Sequence, residues 1–215
     1  MVSERGEKMK DAFFKLNEIK QEQIVNACIQ EFSSQKYDQC SLNRIIKNAG
    51  ISKGGLFKYI SNKEELYLYV MEMMMNELII YQTTNISHSS NCYFERIREM
   101  SSLAIDYYET HNNAYNAILI GLIDRQSSVY NAIEKLRASL MERHKSKLLS
   151  GIDWTQYRLE ANQLSFVVGC ALSGYNLELL EQMSMAFSLQ AFKEKINGEL
   201  SLILDVLKVG VCNEI

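Results

Sequence analysis

Apolar side chains recur at three- and four-residue steps through most of this chain, the spacing of helices with one buried face. Between Glu18 and Phe32 the stripe is Ile24, Ala27, Cys28, Ile29 and Phe32, and Ser33–Lys36 is a polar break. A short helix is predicted after Ser41, with Leu42, Ile45, Ile46 and Ala49 on its apolar side. Gly50 ends it, as a residue that takes positive φ at little cost. A further helix opens after Ser52 and carries Leu56, Phe57 and Ile60. Ser61 and Asn62 then cap a long helix. Its first turn, Lys63-Glu64-Glu65, sets carboxylates at the positive helix end, and Leu66, Tyr67, Val70, Met73, Met74 and Leu78 form its apolar side. Residues 1–16 read as a frayed polar arm, and Thr83–Asn91 as a linker. Helical spacing resumes over Cys92–Tyr108, Ala114–Ile123, Val129–Leu149, Gln156–Leu180 and Ala186–Val211. The pattern predicts an all-α fold of about nine helices without strands. An N-terminal three-helix domain spans 1–62 and a larger helical domain spans 63–215.

Composition strengthens that reading. Proline is absent from all 215 residues, against a usage of roughly 5%; a chain of long helices has little room for it. At 47% apolar and 23% charged, the chain has material for a core and no disordered bias. Cys28, Cys40, Cys92, Cys170 and Cys212 are scattered and odd in number, so reduced thiols in a cytoplasm are expected. Met1–Lys20 mixes charges and lacks the apolar centre of a leader. No apolar run reaches the ~18 residues of a membrane span. His88, His111 and His144 stand far apart without a HExxH pattern, so no metal site is expected. With no nucleophile elbow and no glycine-rich phosphate loop, neither an enzyme nor a bound cofactor is expected.

Charge is unevenly distributed. From Lys36 to Lys63 the basic residues are Lys36, Arg44, Lys47, Lys53, Lys58 and Lys63, opposed only by Asp38. This is a local charge of +5 in a chain whose net charge is −3. A compact basic patch on an acidic body fits an electrostatic footprint for DNA. Within it, two short helices are separated only by Ala49-Gly50-Ile51. That turn is too tight for an ordinary helical hairpin, and Ile45, Ile51 and Leu56 can lock the pair at a steep angle: a helix-turn-helix. Its second helix fits the major groove, with Leu56 and Ile60 inward and Ser52, Lys53, Gly54, Gly55 and Lys58 outward.

The residues Phe32, Tyr37, Ser41-Leu42, Ile45, Ala49-Gly50-Ile51-Ser52-Lys53-Gly54, Leu56-Phe57, Tyr59 and Lys63-Glu64-Glu65-Leu66 together resemble the TetR (tetracycline-repressor-like) family of bacterial regulators. The resemblance covers about 45 residues; the rest of the chain is similar only in length and helicity. It implies that Ser41 contacts phosphate and that Ser52, Lys53 and Gly54 lie at the start of the recognition helix. It also implies that Tyr59 and Lys63 grip the DNA backbone. Gly55 departs from the pattern where Thr or Ser is common, and Lys36 stands where a turn glycine is common. The implied partners are a double-stranded palindromic operator, a small-molecule effector and a second copy of the chain.

The C-terminal two thirds carry many aromatics among Ile, Leu and Met. Met100, Tyr107, Tyr115, Ile118, Trp154 and Phe166 are candidate lining residues for an apolar or aromatic effector, with Asn116, Asn162 and Gln163 as polar tips. Two stripes on the last two helices are expected to form a homodimer interface. One comprises Leu164, Val167, Val168, Ala171, Leu172 and Tyr175; the other comprises Phe192, Ile196, Leu200, Ile203, Leu204 and Leu207. The expected function is a TetR-type repressor released from its operator by such a ligand. An all-helical ligand-binding protein or enzyme with a vestigial helix-turn-helix is the alternative, and failure to bind any promoter would mark it.

Overall fold

The helical stripes close into ten α-helices in a computed structural model that describes residues 9–183 and 189–212. They are α1 (Asp11–Phe14), α2 (Glu18–Phe32), α3 (Leu42–Asn48), α4 (Lys53–Leu56), α5 (Lys63–Asn85), α6 (Tyr93–Thr110), α7 (Asn112–Ile123), α8 (Tyr130–Leu148), α9 (Ala161–Met183) and α10 (Leu189–Val211). Single 3-10 turns occur at Tyr37–Gln39 and Trp154–Gln156. The described residues contain no β-strand, only one isolated antiparallel pairing between Tyr157 and Cys212.

The chain forms two compact units. Of the described residues, one comprises 9–77 and 113–139 and the other 78–112, 140–183 and 189–212, so α5 and α8 each contribute to both. The first unit is built on Phe13, Ile24, Cys28, Phe32, Ile45, Leu56, Ile60, Leu66, Val70 and Met71, all essentially inaccessible to solvent. α7 packs here at very close range. A Cβ added at Gly121 would come within 2.7 Å of Met71 Cε and 3.0 Å of the Tyr67 hydroxyl. The core of the second unit gathers Cys92, Tyr93, Phe94, Ile97, Ile152, Tyr157, Leu164, Val168, Leu200 and Leu204. Arg96 is buried beside it and donates to the carbonyls of Leu148, Ser150 and Ser90 at 2.7, 3.1 and 3.1 Å. It thereby satisfies carbonyls that α8 leaves open at its C-terminal end.

Two segments depart from the periodicity reading. The arm expected to fray is ordered from Met9 onward. Met9 and Phe13, one helical turn apart, are buried, and the Lys10 amide donates to the Tyr59 carbonyl at 2.9 Å. A four-residue helix is too short to register as a period, and burial of two side chains secures it instead; residues 1–8 lie outside the described part. The linker is also shorter than expected, because α5 runs on to Asn85. Ile86 is buried behind it, and Gln82 Nε2 donates to the Met100 carbonyl at 2.8 Å, which fixes the last turn despite its polar sequence.

Candidate DNA interface

The basic segment is held by a carboxylate network. Glu31, near the end of α2, is buried and accepts the Ser41 amide at 2.7 Å and Arg44 Nε at 2.9 Å. The far end of the same guanidinium reaches the Gln39 carbonyl at 2.8 Å. One acidic side chain therefore fixes where α3 begins, at a helix end whose first amides have no partner within the helix. Burial alone pushes the Glu31 carboxyl up. The Arg44 hydrogen bonds, the Ser41 amide and the charges of Arg44 and Lys63 more than offset it, so Glu31 sits below the usual carboxylate value. Ser41 occupies the N-cap position of α3; its side chain makes no cap hydrogen bond, and its own amide is donated to Glu31.

The turn between α3 and α4 rests on Gly50, whose φ of 62° is left-handed. The Ile51 amide closes the turn on the Ile46 carbonyl at 3.2 Å. Ser52 then caps α4, its Oγ accepting the Gly55 amide at 3.0 Å. Only Lys53–Leu56 are α-helical. At Lys58 and Tyr59 the bonds tighten to i−3, with Lys58 N–H on Gly55 O and Tyr59 N–H on Leu56 O. The expected longer helix is cut short where two glycines, each costing roughly 1 kcal/mol relative to Ala, weaken its first turn.

Leu56 and Ile60 are fully buried, while Ser52, Lys53, Gly54, Phe57 and Lys58 are exposed and Gly55 half-exposed. A Cβ at Gly54 would meet nothing within 4 Å, whereas one at Gly55 would press on Ser52 Oγ at 3.1 Å. Tyr59 is half-buried, its ring edge-on to Phe13 at 6.3 Å between centroids. Lys63 opens α5. Its ammonium donates to the carbonyls of Tyr37 at 2.8 Å and Cys40 at 3.2 Å and stands over the Tyr37 ring at 4.2 Å. Asn62 Oδ1 accepts the Glu65 amide at 2.8 Å, and the Glu65 carboxylate accepts the Ser61 amide at 2.7 Å, a reciprocal cap.

Lys36 carries its charge to Asp124 at 3.5 Å, and Asp38 accepts the Ser128 hydroxyl at 2.8 Å. The structure thus gathers Ser41, Ser52, Lys53, Gly54, Gly55, Lys58, Tyr59 and Lys63 into one unit around a helix-turn-helix, and commits Lys36 and Arg44 to internal pairs. Sequence reading missed Glu31. An acidic residue near a helix end gives no signal until the partner helix, 13 residues on, is in place.

The six candidate ligand residues are divided between the two units. Met100 and Trp154 pack against the core of the second unit, and Tyr107 is buried there. Tyr115 and Ile118 are buried in the first unit, where Asn116 Oδ1 is buried and accepts no hydrogen bond from the described residues. Phe166 is 71% exposed on α9 and lines no interior. The expected dimer stripes also need revision. Leu164, Val168, Ile196, Leu200 and Leu204 are buried in the chain's own core, and the Phe192 side chain lies outside the described residues. On α9 and α10, the large apolar side chains left in solvent among the described residues are Phe166, Leu202 at 67%, Val206 at 65% and Val209 at 83%. Among the described residues, no group of three or more His, Cys, Asp or Glu is placed to hold a metal, and no helix is long and apolar enough to cross a membrane.

Residues 24–70 match the family model for bacterial regulatory proteins, tetR family. A curated relative, described as an uncharacterized HTH-type transcriptional regulator, YhgD, of Bacillus subtilis (strain 168), is 21% identical over 129 residues. The match covers 60% of this chain and 67% of that one. A solved TetR family transcriptional regulator from Chloroflexus aurantiacus J-10-FL has a TM-score of 0.68 at 20% identity, covering 96% of this chain and 100% of the other. The fatty acid degradation regulator FadR from Bacillus halodurans has a TM-score of 0.64 at 14% identity, covering 85% and 97%.

Proposed function

We propose that this chain, a DNA-binding transcriptional regulator of the tetR family of bacterial regulatory proteins, is a cytoplasmic repressor that leaves a palindromic operator when a small apolar or aromatic molecule binds. Fold and family are those of transcriptional regulators rather than enzymes. The carrying observation is the exposed row Ser52, Lys53, Gly54 and Lys58 standing on a fully buried Leu56 and Ile60. A surface fixed from below and cationic above presents donors to a groove without a folding cost at the moment of binding. Residues 1–62 bind DNA, and residues 63–215 dimerise and take the effector. Lys53 and Lys58 meet phosphates or base acceptors. Ser41, Ser52 and Tyr59 add hydroxyl contacts, Gly54 and Gly55 admit the backbone, and Lys63 offers phosphate the one N–H that its two carbonyls leave over.

Dimerisation through α9 and α10 sets two such surfaces one helical turn of DNA apart, about 34 Å. Met100, Tyr107 and Trp154 line the effector site in the second unit. The effector releases DNA only through a difference in its affinity for the two states. The test is a salt-titrated duplex binding series with the full-length chain and Lys53→Ala/Lys58→Ala. The log–log salt slope is expected to flatten by about 1 for each of the two lysines that neutralises a phosphate. An unchanged slope and affinity would place the DNA surface elsewhere.

A further inference from the structure

Of the large apolar side chains between Ser41 and Lys63, Phe57 is the exposed one, at 38%. It follows directly on the buried Leu56, and its amide bonds to the Lys53 carbonyl at 3.2 Å. That bond completes one turn, so Lys53 and Phe57 leave the segment on the same face, four residues apart. The Phe57 carbonyl accepts Lys10 Nζ at 3.1 Å, and the ring is the part of this residue left exposed. Beside it, Gly54 presents no side chain, and open space surrounds its α-carbon.

An uncovered phenyl ring gains nothing from phosphate or sugar oxygens. In the major groove the apolar group that distinguishes the bases is the C5-methyl of thymine, which lies next to the O4 acceptor. A phenyl ring with an ammonium one turn before it matches that pair of features, methyl beside acceptor. We infer that Phe57 is a specificity-determining residue of the DNA surface and reads a thymine methyl in each operator half-site, with Lys53 as the neighbouring donor. This rests on the DNA-binding reading above and adds to it the base that the surface selects.

The experiment uses the full-length chain to select duplexes from a random pool. Each thymine of the selected duplex is then replaced singly by deoxyuridine, which lacks only the methyl group. At one position per half-site, uracil is expected to weaken wild-type binding about fourfold, the equivalent of one buried methyl group. Phe57→Ala is expected to bind the thymine and uracil duplexes equally. A selected duplex indifferent to uracil at every position overturns this inference and leaves the DNA-binding reading standing. So does a Phe57→Ala chain that keeps the wild-type discrimination. If no duplex is selected at all, the DNA-binding reading falls and this inference falls with it.

Discussion

At the scale of residues, the basic segment separates charges that hold the fold from charges that face outward. Glu31 is the clearest of the first kind. Its folded-state pKa is depressed, so its contribution to stability is complete above the unfolded value of about 4.3 and is lost as pH falls below it toward the folded value. Glu31→Gln is expected to cost about 2 kcal/mol at pH 7. The gap to wild type should narrow below about pH 4, as urea midpoints at the two pH values would show. Gly54 belongs to the outward surface. Gly54→Ala has open space for its methyl group and should raise stability by about 0.5–1 kcal/mol, yet weaken duplex binding because the backbone can no longer come as near. A thermal melt and a duplex titration on the same preparation check both halves, and tighter binding would count against the close approach. Ser52 and Gly50 were legible in the sequence because caps and positive φ select residue types locally. The internal roles of Glu31, Arg44 and Lys36 were not, since each depends on a partner brought in by tertiary structure.

Helical elements followed their periodicity wherever they were long, and α5 through α10 lie within a few residues of their apolar stripes. The short ones obeyed other forces. α4 stops after four residues, its two glycines lowering helix propensity, and α1 exists because Met9 and Phe13 are buried. The packing of α7 on α5 was invisible in the pattern, since a glycine inside a helical stripe reads only as a mild penalty. At Gly121 the missing side chain is what admits Met71 and Tyr67. Met71 can swing aside, but the Tyr67 ring is wedged against Phe32 and Tyr37, with centroids 4.7 and 4.8 Å away. Gly121→Ala is therefore expected to destabilise the fold by about 1–2 kcal/mol through overpacking. A denaturation curve indistinguishable from wild type would show that α7 yields there.

For the whole molecule, periodicity on the last two helices marked faces that the chain uses for itself. Heptad-like spacing looks alike on every buried face, whether the partner is the same chain or another. Burial separates them: Leu164, Leu200 and Leu204 are internal, and Phe166, Leu202, Val206 and Val209 remain uncovered. If α9 and α10 dimerise as proposed, the uncovered set is the one that meets the second copy. Leu202→Glu/Val206→Glu should then convert the protein to a monomer in sedimentation velocity. With only one half-site engaged at a time, operator binding should weaken at least about 100-fold. A double variant that stays dimeric would move the interface off this face.

The functional reading stands or falls on whether the exposed row between Ser52 and Lys58 seats on a duplex. Lysine acetylation rates answer this residue by residue, read by mass spectrometry with and without a selected duplex. Duplex is expected to slow modification of Lys53 and Lys58 strongly while Lys145 and Lys147, exposed on α8, react as before. Equal protection of both pairs, or none at Lys53 and Lys58, would contradict that seating.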